Sequence, residues 1–442
     1  MQLSRTVPLL FGFFSSAGTT PVQAQATAVR TDVAGLTAGT TALTLDGGAV
    51  NGLLGGLLGV TVSGSAVSYA GLLGARVDAL DLLNAFAARA GAIGGTYGSL
   101  AGISLGMSDV AAALAVALAG GNATGSTGSA IAALALLGPT LGTAPVRIGA
   151  LMDVGPWSND QVGATPASAL HAQMNAFLVI TDSAQIRGGT LFGLPALSTT
   201  LPLGIGSAGI TAAAISPPSQ PFFGFGPVGE TVRTSQVRIA VSLVLTAPLL
   251  GLYTVTLPLY VQVASGVAQV SAIACGAAPE TDATVALLAQ SGLADAYVGQ
   301  VSPTDLTSFA TTPAVGSATL VNVGGVLTIT GFSHTALASS TSQTLTYTQP
   351  MIAAGTTQSV AATNLPSSLG QSLGGTNLQL RVTAVGLGVS AVTTAVQALL
   401  APLLSGALDP LLNNLLSAFG VRLGVMDVAT TGVRCGIPAL VQ

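Results

Sequence analysis

The chain has 442 residues, of which only 26 are charged: 15 are acidic, and all 11 basic residues are Arg. Average soluble proteins are about 25% charged, and nucleic acid is excluded as a partner because phosphate binding requires clustered Lys and Arg. Half of the chain is apolar, which excludes intrinsic disorder. Two His and two Cys are too few for an ordinary transition-metal site, so the composition predicts a folded protein without a cofactor.

Residues 1–26 are predicted to be an export signal or a residual anchor. Arg5 precedes the apolar run Val7–Phe14, and small residues with Ala-x-Ala at 24–26 follow it, which is the layout of a secretory signal. The run has eight residues, whereas a spanning helix needs about 20. A truncated anchor and an apolar N-terminal strand are the alternatives.

Residues 27–187 form an Ala- and Gly-rich region whose spacing predicts helices. The segment Tyr69–Ala90 places apolar residues on one stripe and Asp78 on the other face, with Ser68 as N-cap and Gly91 as C-cap. Two further helices are predicted at Val110–Ala119, capped by Ser108 or Asp109, and at Ser126–Leu137.

Residues 188–230 are rich in Gly, Pro, Ser and Phe and end in SPPSQPFFGFGPVGE. This composition is typical of turns, so the segment is interpreted as a linker. Phe222, Phe223 and Phe225 in it, and Trp157 before it, are the aromatic clusters of the chain. They are expected either to pack against the fold, which is commoner, or to anchor a partner.

Residues 231–442 alternate apolar and polar side chains, which predicts strands. The uncharged apolar run Ile239–Val263 is long enough to span a membrane, but it is predicted to form a strand, a turn and a strand, because Pro248, Gly251 and Pro258 would break a membrane helix. The predicted strands are Gln236–Thr246, Leu252–Ala264, Val267–Ala274, Ala283–Ala289, Ala318–Thr330, Gln343–Thr348 and Asn377–Val385.

One helical region interrupts these strands. Leu and Val recur every three or four residues over Ala391–Phe419, and Asp409 before Pro410 indicates the start of a second helix. The pair is expected to lie in the core or, alternatively, on a membrane or partner surface. The predicted fold class is α+β, with a helical N-terminal half, an antiparallel β-rich C-terminal half and this Leu-rich helix pair before the last strand.

The two cysteines, Cys275 and Cys435, are 160 positions apart, and each ends a strand-like run and is followed by Gly. An even cysteine count in an exported protein favours a disulfide, and the two strand-like runs are expected to lie side by side. The alternative is two buried thiols. A bridge would stabilise the fold by about 4 to 5 kcal/mol in the idealised chain-entropy treatment.

Three stretches of the chain resemble the TadG-like family of predicted membrane proteins, which is associated with tight-adherence (Flp) pilus gene clusters in bacteria. They are SYAGLLGARVDALDLLNAFAARAG with GTYGSL, TLPLYVQVASGVAQVSAIAC, and the tail GVRLGVMDVATTGVRCGIPALVQ. The most specific parts are Val433–Pro438 and the strand that ends at Ala274 and Cys275. The resemblance extends from about Leu45 to Gln442 and implies an envelope protein, helical near the membrane and β-rich beyond it. Family members usually begin with a clear transmembrane anchor, from which the short run Val7–Phe14 departs.

Two Gly-x-Ser-x-Gly strings surround Ser104 and Ser372, and a strained turn of this kind exposes the nucleophile of serine hydrolases. With so much Gly and Ser, about one string arises by chance, and the only bases are His171 and His334. Both strings are therefore interpreted as flexible turns.

Both histidines are expected to be structural, His171 in an Ala-rich helical stretch and His334 at a strand end. The pair Glu280 and Asp282 supplies two ligands for Ca²⁺, but no third carboxylate lies nearby in the sequence.

The favoured prediction is a non-enzymatic envelope protein, exported to the periplasm or to the periplasmic side of the inner membrane. It would act in pilus assembly or surface attachment through contacts with envelope or pilus proteins, with a peripheral membrane contact as an additional option. A structural secreted or outer-membrane β protein is the alternative. A serine esterase built on Ser104 is the remote one.

Overall fold

The structure is a computed structural model. It describes residues 2–8, 19–25, 27–39, 66–164, 171–186, 189–192, 199–200, 206–216, 219–247, 253–292, 294–309, 313–323, 327–337, 341–361, 378–384 and 425–441. The Leu-rich segment 391–419 and Ser372 lie outside these residues.

Helices are concentrated in the first half of the chain, as predicted. They are α1 Ala66–Gly74, α2 Ala79–Ala90, α3 Tyr97–Ala101, α4 Met107–Leu118, α5 Thr127–Leu137, α6 Ile148–Leu151, α7 Ala176–Ile186, α8 Pro279–Asp282, α9 Pro303–Thr307 and α10 Gln349–Ala354. Two 3₁₀ turns lie at Gly138–Thr140 and Gly155–Asn159.

Strands dominate the second half, and all strand pairs among the described residues are antiparallel. The first thirteen strands are β1 Gln2–Pro8, β2 Thr19–Gln25, β3 Thr27–Gly39, β4 Ala75–Asp78, β5 Ser104–Gly106, β6 Thr124–Gly125, β7 Pro145–Arg147, β8 Gln173–Asn175, β9 Gly189–Phe192, β10 Thr199–Thr200, β11 Gly206–Ser216, β12 Phe223–Gly226 and β13 Thr231–Arg233. The others are β14 Gln236–Ala247, β15 Tyr253–Val263, β16 Val267–Ala274, β17 Thr284–Gln290, β18 Ala294–Val298, β19 Gln300–Val301, β20 Val315–Gly316, β21 Ala318–Val323, β22 Leu327–Leu337, β23 Gln343–Thr348, β24 Thr357–Ala361, β25 Gln379–Ala384 and β26 Val425–Val441. The α+β class is confirmed.

The predicted helix Tyr69–Ala90 is wrong as a single element, because β4 interrupts it. Val77 pairs with Met174 of β8, so it belongs to a short strand between two helices. Asp78, expected on the polar face, is buried and caps α2 by accepting hydrogen bonds from two amides of its first turn. The C-cap at Gly91 is confirmed, with φ at 66°. The prediction that Ser68 is the N-cap is also wrong, since α1 begins at Ala66.

The other two predicted helices form with shifted starts. The helix predicted at Val110–Ala119 begins at Met107, so Ser108 and Asp109 lie in its first turn and do not cap it. Ser126 holds the N-cap position of α5, but its side chain makes no capping hydrogen bond. Helix α7 is buried on all sides, because the helices and short strands of this region pack around it in one apolar core.

A β-sandwich joins the two ends of the chain. One sheet has the order β12-β3-β26-β24 and the other β13-β16-β17-β23, and the buried residues between them form one cluster of mostly Ala, Val and Leu. Strand β3 pairs with β26 along nearly its whole length, from Thr27 opposite Val441 to Gly39 opposite Asp427. The predicted helical region 27–187 is therefore wrong at its start, since residues 27–39 form a central strand of the sandwich.

The largest sheet among the described residues has nine strands, in the order β10-β11-β14-β15-β18-β22-β21, with β9 paired to β11 and β25 to β22. The two strands predicted within Ile239–Val263 are confirmed as the β14–β15 pair, and the predicted turn at 248–252 lies outside the described residues. The strand predicted at Ala318–Thr330 is wrong as one element, because β21 ends at Val323 and β22 begins at Leu327. Val237, Ile239 and their neighbours on one face share a core cluster with the helical region.

The opposite face of this sheet is partly covered by the segment that contains α9. The side chain of Arg238 is 2% exposed, and its guanidinium donates hydrogen bonds to the carbonyls of Asp305 and Ser308, at 2.6 and 2.7 Å. The same group lies 4.6 Å from the centre of the Phe309 ring. Arg238 therefore fixes this covering segment to the sheet.

The linker interpretation of residues 188–230 is wrong for the described residues. Strand β11 lies inside the large sheet, and β12 forms an edge of the sandwich. Phe222, Phe223 and Phe225 are buried, so these aromatic residues pack within the fold. Turn-like composition did not prevent strand formation, because Gly and Ala fit where β-strands approach closely.

Candidate functional site

The predicted pairing of Cys275 and Cys435 is confirmed by the distance between the two residues. Their Cα atoms are 6.2 Å apart and the sulfurs are bonded, within the usual Cα separation for disulfides. Cys275 follows β16, whereas Cys435 lies inside β26, in the other sheet of the sandwich. The two strands thus face each other across the core, and the expectation that they lie side by side was wrong. The bond joins the two sheets.

A β-bulge in β26 determines the position of Cys435. The register with β3 shifts between Arg434 and Ile437, so that Cys435 and Gly436 together lie opposite the single residue Asp32. Gly436 has φ at 72°, a conformation that glycine adopts without a steric penalty. Its amide donates a 2.6 Å hydrogen bond to Oδ1 of Asp32 on β3, so the bulge brings a carboxylate to the disulfide.

Three potential ligand groups therefore meet where the disulfide joins the two sheets of the sandwich. A carboxylate oxygen of Asp32 and the sulfurs of Cys275 and Cys435 lie within 4.8 Å of one another, and all three residues are half-buried. We call this group the Asp32–cysteine cluster. No sequence pattern pointed to Asp32, because the two cysteines lie more than 200 residues further along the chain.

A second link crosses the sandwich core. The hydroxyl of Tyr347, on β23, donates a 2.6 Å hydrogen bond to the carbonyl oxygen of Val428 on β26, and its ring is fully buried. Next to it, the Ser359 hydroxyl donates to the buried carboxylate of Asp427. The disulfide and the tyrosine hydrogen bond together hold β26 against the opposite sheet.

Each histidine is paired with a carboxylate. Nδ1 of His171 lies 3.3 Å from the buried carboxylate of Asp78, and burial raises the pKa of Asp78 above its usual range despite the hydrogen bonds that it accepts. Because the Asp78 carboxylate also caps α2, His171 adds to a helix cap. His171 lies before β8 and not in a helix, so the predicted helical context was wrong.

His334 lies near the end of β22, on the outer face of the nine-stranded sheet. Its Nε2 is 3.1 Å from Oδ1 of Asp295, and its ring stacks on Tyr297 at 4.3 Å between centres. Tyr297 in turn packs against Tyr260, at 5.7 Å. This arrangement is a cross-strand ladder that stabilises the sheet.

Neither histidine has a hydrogen bond to a serine among the described residues. Ser104 begins β5 and pairs with Arg147 of β7, so it lies at the start of a strand and not in the turn that leads into α4. The hydroxyl has no recorded hydrogen bond to any described residue, and His171 and His334 are engaged with Asp78 and Asp295. Among the described residues, neither histidine is therefore placed to act as a base for Ser104.

The carboxylate of Asp282 is used within its own turn. It accepts hydrogen bonds from the amide of Ala278 and from the hydroxyl of Thr281, an arrangement that closes the short helix α8. The side chain of Glu280 lies outside the described residues. The described residues supply no further ligand for the Ca²⁺ site considered at Glu280 and Asp282.

A carboxylate pair lies where the helical region meets the sandwich. Glu230 lies beside the glycines of β12, and the amide of Asp153 donates a 2.8 Å hydrogen bond to the carbonyl of Phe223 on the same strand. Burial, with the charge of Asp153 as a second cause, raises the pKa of Glu230 to about 7. Close by, Trp157 and Phe225 line a small apolar pocket, which places Trp157 in the core as expected.

A family model for a domain of unknown function (DUF8293) matches residues 46–185. The matched part contains the helical region up to the end of α7, and the family description gives no activity. No curated protein matches the chain, and no solved structure matches it. Among the described residues, none of the helices is long and apolar enough to cross a membrane.

Proposed function

We propose that the protein is an exported, non-enzymatic component of the bacterial envelope, related to TadG-like proteins. It acts in pilus assembly or surface attachment through contacts with other envelope or pilus proteins. The observation that carries the proposal is the bond between Cys275 and Cys435, which joins the two sheets of the sandwich. Disulfides of this kind persist in oxidising compartments such as the periplasm.

The N-terminal residues are placed so that cleavage would spare the fold. Among the described residues, strands β1 and β2 pair only with each other, and the described side chains of Ser4–Val7 are exposed. The sandwich begins at Thr27, opposite Val441, and among the side chains of β3 that the structure describes, burial begins at Val33. Cleavage near Gln25 or Thr27 would therefore remove a separate hairpin and leave β3 in its sheet, as an export signal requires.

The described surface favours contacts with proteins over charged ligands. Helix α5 carries no charged residue, and its outer face exposes Ala132, Ala135 and Leu136 to solvent, with Leu136 66% exposed. Exposed apolar surface of this kind is typical of sites where proteins associate. Thr, Ser and Gln provide most of the polarity of the β-rich half.

Cell fractionation with protease accessibility tests this proposal. We expect the protein in the periplasm or on the inner membrane, protected from added protease until the outer membrane is permeabilised. A matched variant that lacks residues 2–26 should stay in the cytosol. Recovery of the full-length chain from the cytosol would contradict the proposal, and recovery from detergent-resistant outer membrane would favour the structural β protein instead.

A further inference from the structure

We propose that the Asp32–cysteine cluster becomes a binding site for a thiophilic divalent cation, Zn²⁺, once the Cys275–Cys435 bond is reduced. The composition alone argued against a metal site, because the chain has only two Cys and two His. The fold adds the carboxylate that the sequence did not indicate, with all three ligand atoms within 4.8 Å of one another. This inference concerns the reduced chain and does not rest on the proposed function.

The backbone separation of the two cysteines suits a tetrahedral metal. Zn–S bonds of about 2.3 Å at tetrahedral angles place two thiolate sulfurs about 3.8 Å apart. Two unbonded sulfurs separate to about this distance by rotation of the side chains, with the Cα atoms kept at 6.2 Å. The cation would therefore replace the covalent bond as a link between the sheets without a shift of either strand.

Asp32 is already oriented for the role of third ligand. Its Oδ1 accepts the hydrogen bond from the Gly436 amide, at 2.6 Å, which leaves Oδ2 for a cation. Outer hydrogen bonds of this kind fix the orientation of ligating side chains in metal sites. With three protein ligands, the fourth position falls to water, and the half-buried location of all three residues gives the cation a route in.

The chemistry balances with a dithiol or phosphine as reductant. The reductant supplies two electrons, the S–S bond breaks, and two protons from solvent or reductant complete the Cys275 and Cys435 thiols. The dithiol becomes a disulfide, or the phosphine takes an oxygen atom from water and becomes a phosphine oxide. Zn²⁺ then displaces both thiol protons to solvent and forms two Zn–S bonds and one Zn–O bond with Asp32. Two thiolates and one carboxylate favour Zn²⁺ and Co²⁺ over Mg²⁺ or Ca²⁺, which prefer oxygen ligands alone.

Cobalt titration of the full chain tests the site directly. The protein is reduced with a phosphine, freed of reductant without oxygen, and titrated with Co²⁺. We expect a near-ultraviolet thiolate-to-cobalt absorption band that saturates at one equivalent and disappears when Zn²⁺ is added. Oxidised protein and the Cys275→Ser variant should lack this band, and Asp32→Ala should weaken binding about tenfold or more.

The matched control is Asp282→Asn. This carboxylate also lies near Cys275, since it is packed beside Gly276, but it is occupied within α8 and does not belong to the cluster. Its replacement should leave the cobalt affinity unchanged. Equal binding by the reduced wild type and Cys275→Ser, or wild-type affinity in Asp32→Ala, would overturn the inference.

Thermal unfolding provides a second test of zinc binding, which applies even if reduction of the disulfide destabilises the sandwich. Zn²⁺ that binds the folded state must raise the Tm of the reduced wild type, and at the same Zn²⁺ concentration the rise should be smaller in Asp32→Ala. Failure of Zn²⁺ to raise the Tm of the reduced protein would also overturn the inference.

Discussion

Removal of the inter-sheet disulfide is expected to destabilise the sandwich by a calculable amount. Cys275 and Cys435 are separated by 160 residues, and the chain-entropy treatment gives about 5 kcal/mol for a loop of that length. With an unfolding entropy of about 2.1 cal/mol/K per residue, that loss lowers the Tm by about 5 °C if all 442 residues unfold together. The drop rises to about 10 °C if the cooperative unit is about 250 residues.

The assay compares Cys275→Ser, Cys435→Ser and the double variant by thermal unfolding under oxidising conditions with a metal chelator present. The Tm of all three variants should fall by the same amount, because a bond shared by two residues is lost completely in either single variant. Reduced wild type with chelator should match them. Additive losses in the double variant, or two titratable thiols in oxidised, unfolded wild type, would refute the reasoning.

Three further predictions concern single side chains. Burial raises the pKa of Glu230 to about 7, so the contribution of this side chain to stability is complete below the ordinary carboxyl range and is lost as pH rises toward 7. In urea unfolding, Glu230→Gln should therefore be more stable than the wild type by about 1–2 kcal/mol at pH 8, a figure discounted for partial exposure. The gain in stability should be smaller at pH 5. Tyr347→Phe should cost about 1–2 kcal/mol, because the carbonyl of Val428 loses a buried donor; an unchanged unfolding midpoint would disprove this. Ser104→Ala should leave every phenotype unchanged, and loss of a measurable esterase activity without loss of folding would prove the non-enzymatic reading wrong.

Local sequence patterns predicted the elements that local contacts determine. The alternation over Ile239–Val263 predicted two strands, and the structure pairs them directly along the sheet. Gly91 predicted the end of α2, because a left-handed C-cap depends only on the residue itself and the preceding turn. Such features have no partner distant in the chain.

Distant partners explain what the sequence did not show. Residues 27–39 form a strand because β26, at the other end of the chain, pairs with them, and their small side chains give only a weak period-two pattern. Val77 leaves its predicted helix because β8 pairs with it. Asp32 reaches the disulfide only through the bulge at Gly436.

The pairing of the cysteines was predictable because no other pair exists, whereas its surroundings were not. Sequence reasoning placed Cys435 at the end of a strand beside that of Cys275, but the structure places it in mid-strand on the opposite sheet. The second link across the core, from Tyr347 to Val428, had no sequence signal. Its two groups meet only when both sheets have formed.

The most direct test of the central claim is the intact mass of the native protein, isolated from cells without reductant and treated with a thiol-alkylating reagent after unfolding. Export with a bridged sandwich predicts a chain that begins near Gln25 or Thr27 and carries no alkyl group on Cys275 or Cys435. Retention of Met1 on membrane-bound, unalkylated material would favour an uncleaved anchor. An intact Met1 on a cytosolic product with two alkylated cysteines would contradict the account.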